Sequence, residues 1–102
     1  MYLIEFFLPL YDNEGRAFGR APFDRVRDEL TAQFGGVTAF RRAPAEGVWR
    51  TDDGPTVRDE VVSFEVMAAE LDRAWWARYK TDLAARFRQD EIMLRAVRVE
   101  PL

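Results

Sequence analysis

A chain of 102 residues, 48% hydrophobic and 32% charged, can build one core that buries about two thirds of its unfolded surface but is too short for two. A formal net charge of -3 disfavours general nucleic-acid binding, which rests on neutralising phosphates. The absence of cysteine and histidine removes disulfides, thiolate and imidazole metal sites and histidine-based proton transfer.

Residues 1–102 therefore read as a single domain, with no metal site and no cofactor expected. The apolar N-terminal run is about ten residues long, carries Glu5 and lacks a basic lead, which makes it a strand and not a signal peptide. A membrane span needs about twenty apolar residues, and no such stretch occurs. The expected location is the cytoplasm, with no membrane partner.

Residues 2–10 alternate, with Tyr2, Ile4, Phe6, Leu8 and Leu10 on a core face and Leu3, Glu5, Phe7 and Pro9 opposite. The second face is apolar enough to imply a central strand that is covered there too. Residues 11–21 are a polar loop, mobile by composition, whose Arg16 and Arg20 read as an anion lid or a surface connection. No phosphate-loop pattern supports the lid. Pro22 opens a helix whose stripe is Phe23, Val26, Leu30 and Phe34, with Asp24, Arg25, Arg27, Asp28 and Glu29 toward water. Gly35 and Gly36 stop it.

Residues 37–42 form the second strand, with Val37 and Ala39 toward the helices and Thr38 and Phe40 opposite. Pro44 predicts a kink in residues 43–51, and the sequence leaves the orientation of that segment open. Trp49 within it either roofs a cavity or covers the sheet edge. The turn at Asp52, Asp53, Gly54 and Pro55 leads into a strand over residues 57–67, with Val62, Phe64 and Val66 in the core and Val61, Ser63 and Glu65 opposite. A helix over 70–88 places Leu71, Trp75, Tyr79, Leu83 and Phe87 on one stripe, with Ala74 allowing close approach. Trp76, about 100° away, rims the core or meets a partner. Residues 91–100 close the chain as a strand.

The order is that of a ferredoxin-like βαββαβ domain of the α+β class: an antiparallel sheet, 4-1-3-2, carrying two helices on one face. Its free face would display Leu3, Phe7, Phe40, Val61, Met93 and Val97 around Glu5, Thr38, Ser63, Glu65 and Arg95. A patch of that kind marks an interface, so a homodimer is expected, its sheets meeting face to face or packed edge-on with the same face partly covered. Arg95 is placed to pair with Glu5 while Glu65 crowds it. An RNA-recognition domain would instead carry aromatic residues on the third strand, where this chain has Val61, Ser63 and Glu65.

The segments LPLYDNEG, FGGVTAF, GVW and VRDEVVSFEV resemble a set of small bacterial proteins. More distantly they are similar to a domain-of-unknown-function family marked by F-P-x-G-x-T, then G-x-W, then an acidic residue. Phe34, Gly36, Thr38, Gly47, Trp49 and Glu60 occupy that pattern, with Gly35 where the family has proline. No activity comes with the resemblance. The architecture is similar to that of dimeric α/β-barrel proteins, some of which are enzymes.

Two functions follow as alternatives. One is a dimer that binds or transforms a small molecule between sheet and helices or between two sheets, with Glu5 or Glu65 as base, Arg95 as anion anchor and Thr38 and Trp49 as cavity wall. The other is a non-enzymatic interaction module using the sheet face or the Trp76 side.

Overall fold

Three side chains of one strand anchor the fold: Ile4, Phe6 and Leu8 of β1 (Tyr2–Pro9) are fully buried, and the alternate residues Leu3, Glu5 and Phe7 take the other face. The computed structural model describes residues 1–42 and 60–102. Strand β1 runs antiparallel to β3 (Val61–Ala68) on one side and to β4 (Leu94–Arg98) on the other. Strand β2 (Thr38–Arg42) pairs with β3, giving the order β2-β3-β1-β4, which is 4-1-3-2 read from the opposite edge. Helices α1 (Ala21–Phe34) and α2 (Arg73–Arg86) both contribute to the core on the Ile4, Phe6 and Leu8 side. The fold is ferredoxin-like, α+β. No helix among the described residues is long and apolar enough to cross a membrane.

Helix α1 forms where its stripe requires it: Val26 and Leu30 are fully buried and Phe23 and Phe34 pack at the rim. Gly35 ends it at φ 82°, donating its N–H to the Thr31 carbonyl at 2.8 Å, a conformation that glycine adopts at least cost. Helix α2 starts three residues later than the sequence pattern predicts, because Asp72 caps it by accepting the Trp75 N–H at 3.1 Å.

The inward stripe of α2 is a correction. Four-residue steps drift by about 40° each around a helix, so a row of such steps cannot stay on one face. The buried residues are Trp76, Tyr79 and Leu83, followed by Phe87, while Trp75 lies at the margin and Ala74 is exposed. Trp76, 3% exposed, is part of the core and offers no surface to a partner. Its ring stacks on Phe34 at 5.2 Å and lies 6.0 Å from Phe6, which in turn stacks on Phe64 at 5.3 Å. Aromatic rings thus fill the layer between helices and sheet.

Other boundaries also shift. Residues 11–20 form a hydrogen-bonded turn where composition suggested a mobile loop. Tyr11 bridges Ala17, and Asp12 Oδ1 accepts the backbone N–H groups of Glu14 and Arg16 at 2.9 and 2.8 Å. The Arg16 N–H above all holds the Asp12 carboxyl below its ordinary range. Phe18 packs edge-on to Phe87 at 5.0 Å, tying the turn to the core. The regular part of the last strand is Leu94–Arg98, shorter than residues 91–100, although Ile92 ahead of it is buried. Strand β3 begins at Val61, after Glu60. The segment 43–51, the turn at Asp52 to Pro55 and the start of the strand at 57–59 lie outside the described residues.

A polar clip joins the helices. Arg86 donates to both carboxylate oxygens of Glu29, at 2.6 and 2.8 Å, and the Tyr79 hydroxyl donates to Glu29 Oε1 at 2.9 Å. Sequence pattern placed Glu29 on a solvated face; α2 lies close enough to claim it. The Arg86 bond, opposed by partial burial and helped by Tyr79, lowers the Glu29 carboxyl from its ordinary 4.5. Burial, with the bond to Glu29, pushes the Tyr79 phenol up.

Replacing Phe6 by Ala is expected to cost about 3–5 kcal/mol in denaturant unfolding, because the ring leaves a cavity between Phe64 and Trp76. A depressed carboxyl contributes stability that is present above its unfolded-state value and lost as pH falls through its folded-state value. Stability should therefore decline below about pH 4.5, Asp12 acting in the same direction. Glu29→Gln is expected to cost about 1.5–3 kcal/mol at pH 7 and to flatten that acid decline in melts recorded from pH 7 to 3.

Candidate functional site

The strand register places four of the sequence-selected residues in one line across the open sheet face. Thr38 on β2 is opposite Glu65 on β3, Glu65 is opposite Glu5 on β1, and Glu5 is opposite Arg95 on β4. Neighbouring strands lie about 4.8 Å apart, so adjacent side chains of this row can touch. Trp49, the fifth candidate, lies outside the described residues, as does Gly47 of the same motif.

Within the row the charges are unequally satisfied. Arg95 Nε donates to Glu5 Oε1. The Glu5 side chain is 16% exposed because it sits on a central strand, whereas Arg95, on the edge, is 55% exposed. The Arg95 guanidinium also lies over the Phe7 ring, 5.6 Å from its centre, a cation–π arrangement that fixes its direction. Glu65 faces Glu5 directly, a like-charge pairing that destabilises a sheet. It makes no ion pair with another described residue.

Apolar rows flank the charged one. On one side Val97, Leu3 and Met67 are aligned, and on the other Phe7, Ser63 and Phe40, with the Met93 carbonyl accepting the Phe7 N–H at 3.3 Å. Met67, Met93 and Val97 are 44%, 58% and 51% exposed. Ser63 differs from its neighbours: it is fully buried, and its hydroxyl has no hydrogen-bond partner among the described residues. The alternation of β3 assigned Ser63 to this face but carried no signal of its burial.

The chemistry open to this arrangement is narrow. Arg95 has one nitrogen committed to Glu5 and keeps its remaining donors for a second acceptor. Glu65 and the Ser63 hydroxyl are left as groups that lack a described partner. No group of three or more acidic, histidine or cysteine side chains able to hold a metal gathers among the described residues. Comparison of the chain with protein-family models, with curated proteins and with solved structures yields no match. The Glu29, Tyr79, Arg86 and Asp82 cluster was not legible as a unit. Its only sequence trace is the four-residue spacing of Arg25 with Glu29 and of Asp82 with Arg86.

A double-mutant cycle with Glu5→Gln and Arg95→Met is expected to give a coupling of roughly 0.5–1 kcal/mol in unfolding free energy, the range of partly exposed pairs. A coupling indistinguishable from zero would show that the pair does not hold the row in place.

Proposed function

We propose that the protein acts in the cytoplasm as a homodimer joined through the open sheet face, enclosing the row of Thr38, Glu65, Glu5 and Arg95 where a small molecule binds. The observation that carries the dimer is the exposure of Met67, Met93 and Val97 beside Leu3 and Phe7 on one face. Contiguous apolar surface of this sort is costly on a monomer and usually marks an interface. Its resemblance to dimeric α/β-barrel architecture points the same way. The ligand part rests on Glu65, which makes no ion pair with a described residue and stands in one row with Thr38, Glu5 and the partly exposed Arg95. In that reading Glu65 or Glu5 receives a proton or a hydrogen bond, Arg95 orients the ligand and Thr38 forms the wall. A site between the sheet and the helices is disfavoured because aromatic rings occupy that layer.

The second reading is a non-enzymatic interaction module. The Arg95 to Glu5 pairing favours it, because the groups best suited to chemistry already satisfy one another. Native mass spectrometry separates the readings. A species at twice 11.9 kDa with added mass is expected; a bare dimer would favour the interaction module, and a monomer at high protein concentration would overturn the dimer.

A further inference from the structure

We infer that the open face recognises a second copy of this chain in one register, set by Arg95 of each protomer meeting Glu65 of the other. The inference rests on the homodimer reading and adds the geometry and the residues that select it.

Sheets stacked face to face by a two-fold axis must have that axis lying between them. Two orientations of the axis keep the charged row over a charged row, and they differ in what meets what. An axis running along the row itself places Arg95 on Arg95 and Glu5 on Glu5, and it exchanges the Val97, Leu3 and Met67 row with the Phe7 and Ser63 row. An axis running along the strands leaves every row over its own counterpart, so charged side chains meet charged and apolar meet apolar. The remaining freedom is which strand the axis follows.

The pairing decides it. Over the gap between β1 and β3, the axis sets Glu5 against Glu65 twice and leaves Arg95 facing Thr38. Over β3, Arg95 projects past the partner's sheet, and over the gap between β1 and β4 it meets the partner's Glu5, which is already paired with its own Arg95, while Glu65 projects past the sheet unpaired. Over β1, the strands on either side of it exchange places, so β4 of one protomer lies over β3 of the other. Arg95 then faces Glu65, and by symmetry the contact forms twice. The same placement sets exposed Val97 against exposed Met67, also twice, and Leu3 against Leu3. The two Glu5 carboxylates that approach near the axis are each paired with Arg95 of their own protomer.

Charge bookkeeping within the protomer supports this choice. Glu65 makes no ion pair with a described residue, and Arg95, with one nitrogen on Glu5, is more than half exposed and keeps further donors. Facing sheets lie about 10 Å apart, a gap that an arginine and a glutamate side chain together span. Burying Glu65 without a partner would be expensive; the β1-centred register supplies one.

Charge exchange tests the register. Glu65→Arg sets two guanidinium groups against each other in its homodimer, and Arg95→Glu sets two carboxylates. Each variant alone is expected to dimerise at least tenfold more weakly than the original chain by sedimentation equilibrium. Mixed together, the two variants are complementary at both contacts and should form a heterodimer, visible by its intermediate mass in native mass spectrometry. Circular dichroism melts establish that each variant folds. If Arg95→Glu does not fold, Glu65→Arg against Glu65→Gln suffices, with the first expected to weaken the dimer far more than the second. A dimer of the original chain that persists unchanged in Glu65→Arg overturns the register and leaves the homodimer standing. An original chain that stays monomeric overturns both and leaves the face to a different protein.

Discussion

The structure depends on β1 being the strand with neighbours on both sides and a full core on one face. Fixing Ile4, Phe6 and Leu8 at zero exposure leaves their register no freedom, since a one-residue slip would turn Glu5 into the core and expose Phe6. Everything else is placed relative to that choice. Strand β3 brings Phe64 under Phe6, α1 and α2 close over the pair with Phe34 and Trp76, and β4 adds Leu94 at the margin. Glu5 is on the open face because Ile4 and Phe6 are not.

Where a pattern has period two, the residues determined the outcome. The faces of β1 and β3 were legible, and so was the meeting of Glu5 with Arg95, because alternation assigns faces without knowledge of the neighbours. Helix α1 was legible from its proline, its stripe and Gly35. Helix α2 was harder, since two adjacent tryptophans at 75 and 76 satisfy either of two stripes. Tertiary packing against Phe34 and Phe6 decided for Trp76. The Asp12 turn and the Glu29 clip escaped for a different reason. A lone aspartate or glutamate in a charged segment looks the same whether it faces water or a donor brought in from another element, and the donor to Glu29 is 57 residues away.

Filling the layer between sheet and helices with rings has a functional consequence. Phe6, Phe64, Trp76 and Tyr79 occupy the space that a ligand would need on that side, and the clip of Glu29, Tyr79 and Arg86 ties the two helices together beside it. The proposed recognition therefore falls on the sheet's other face. That face is built from the second half of each alternating pattern, the half that core packing does not constrain. Glu5 and Arg95 pair across the sheet, but the identity of Glu65 is not explained by the fold's own needs, and Glu65 opposite Glu5 costs the isolated sheet something.

The charged row also limits what the face can accept. An apolar patch alone would tolerate any apolar partner in any register, because burial energy has no direction. A row that contains one arginine and two glutamates does not. A partner that covers it must either bring a donor to Glu65 or leave a carboxylate buried and unpaired, a penalty large enough to cancel the gain from covering Met67 and Val97. In the proposed homodimer the apolar rows would supply the drive to associate, and Glu65 would select the register.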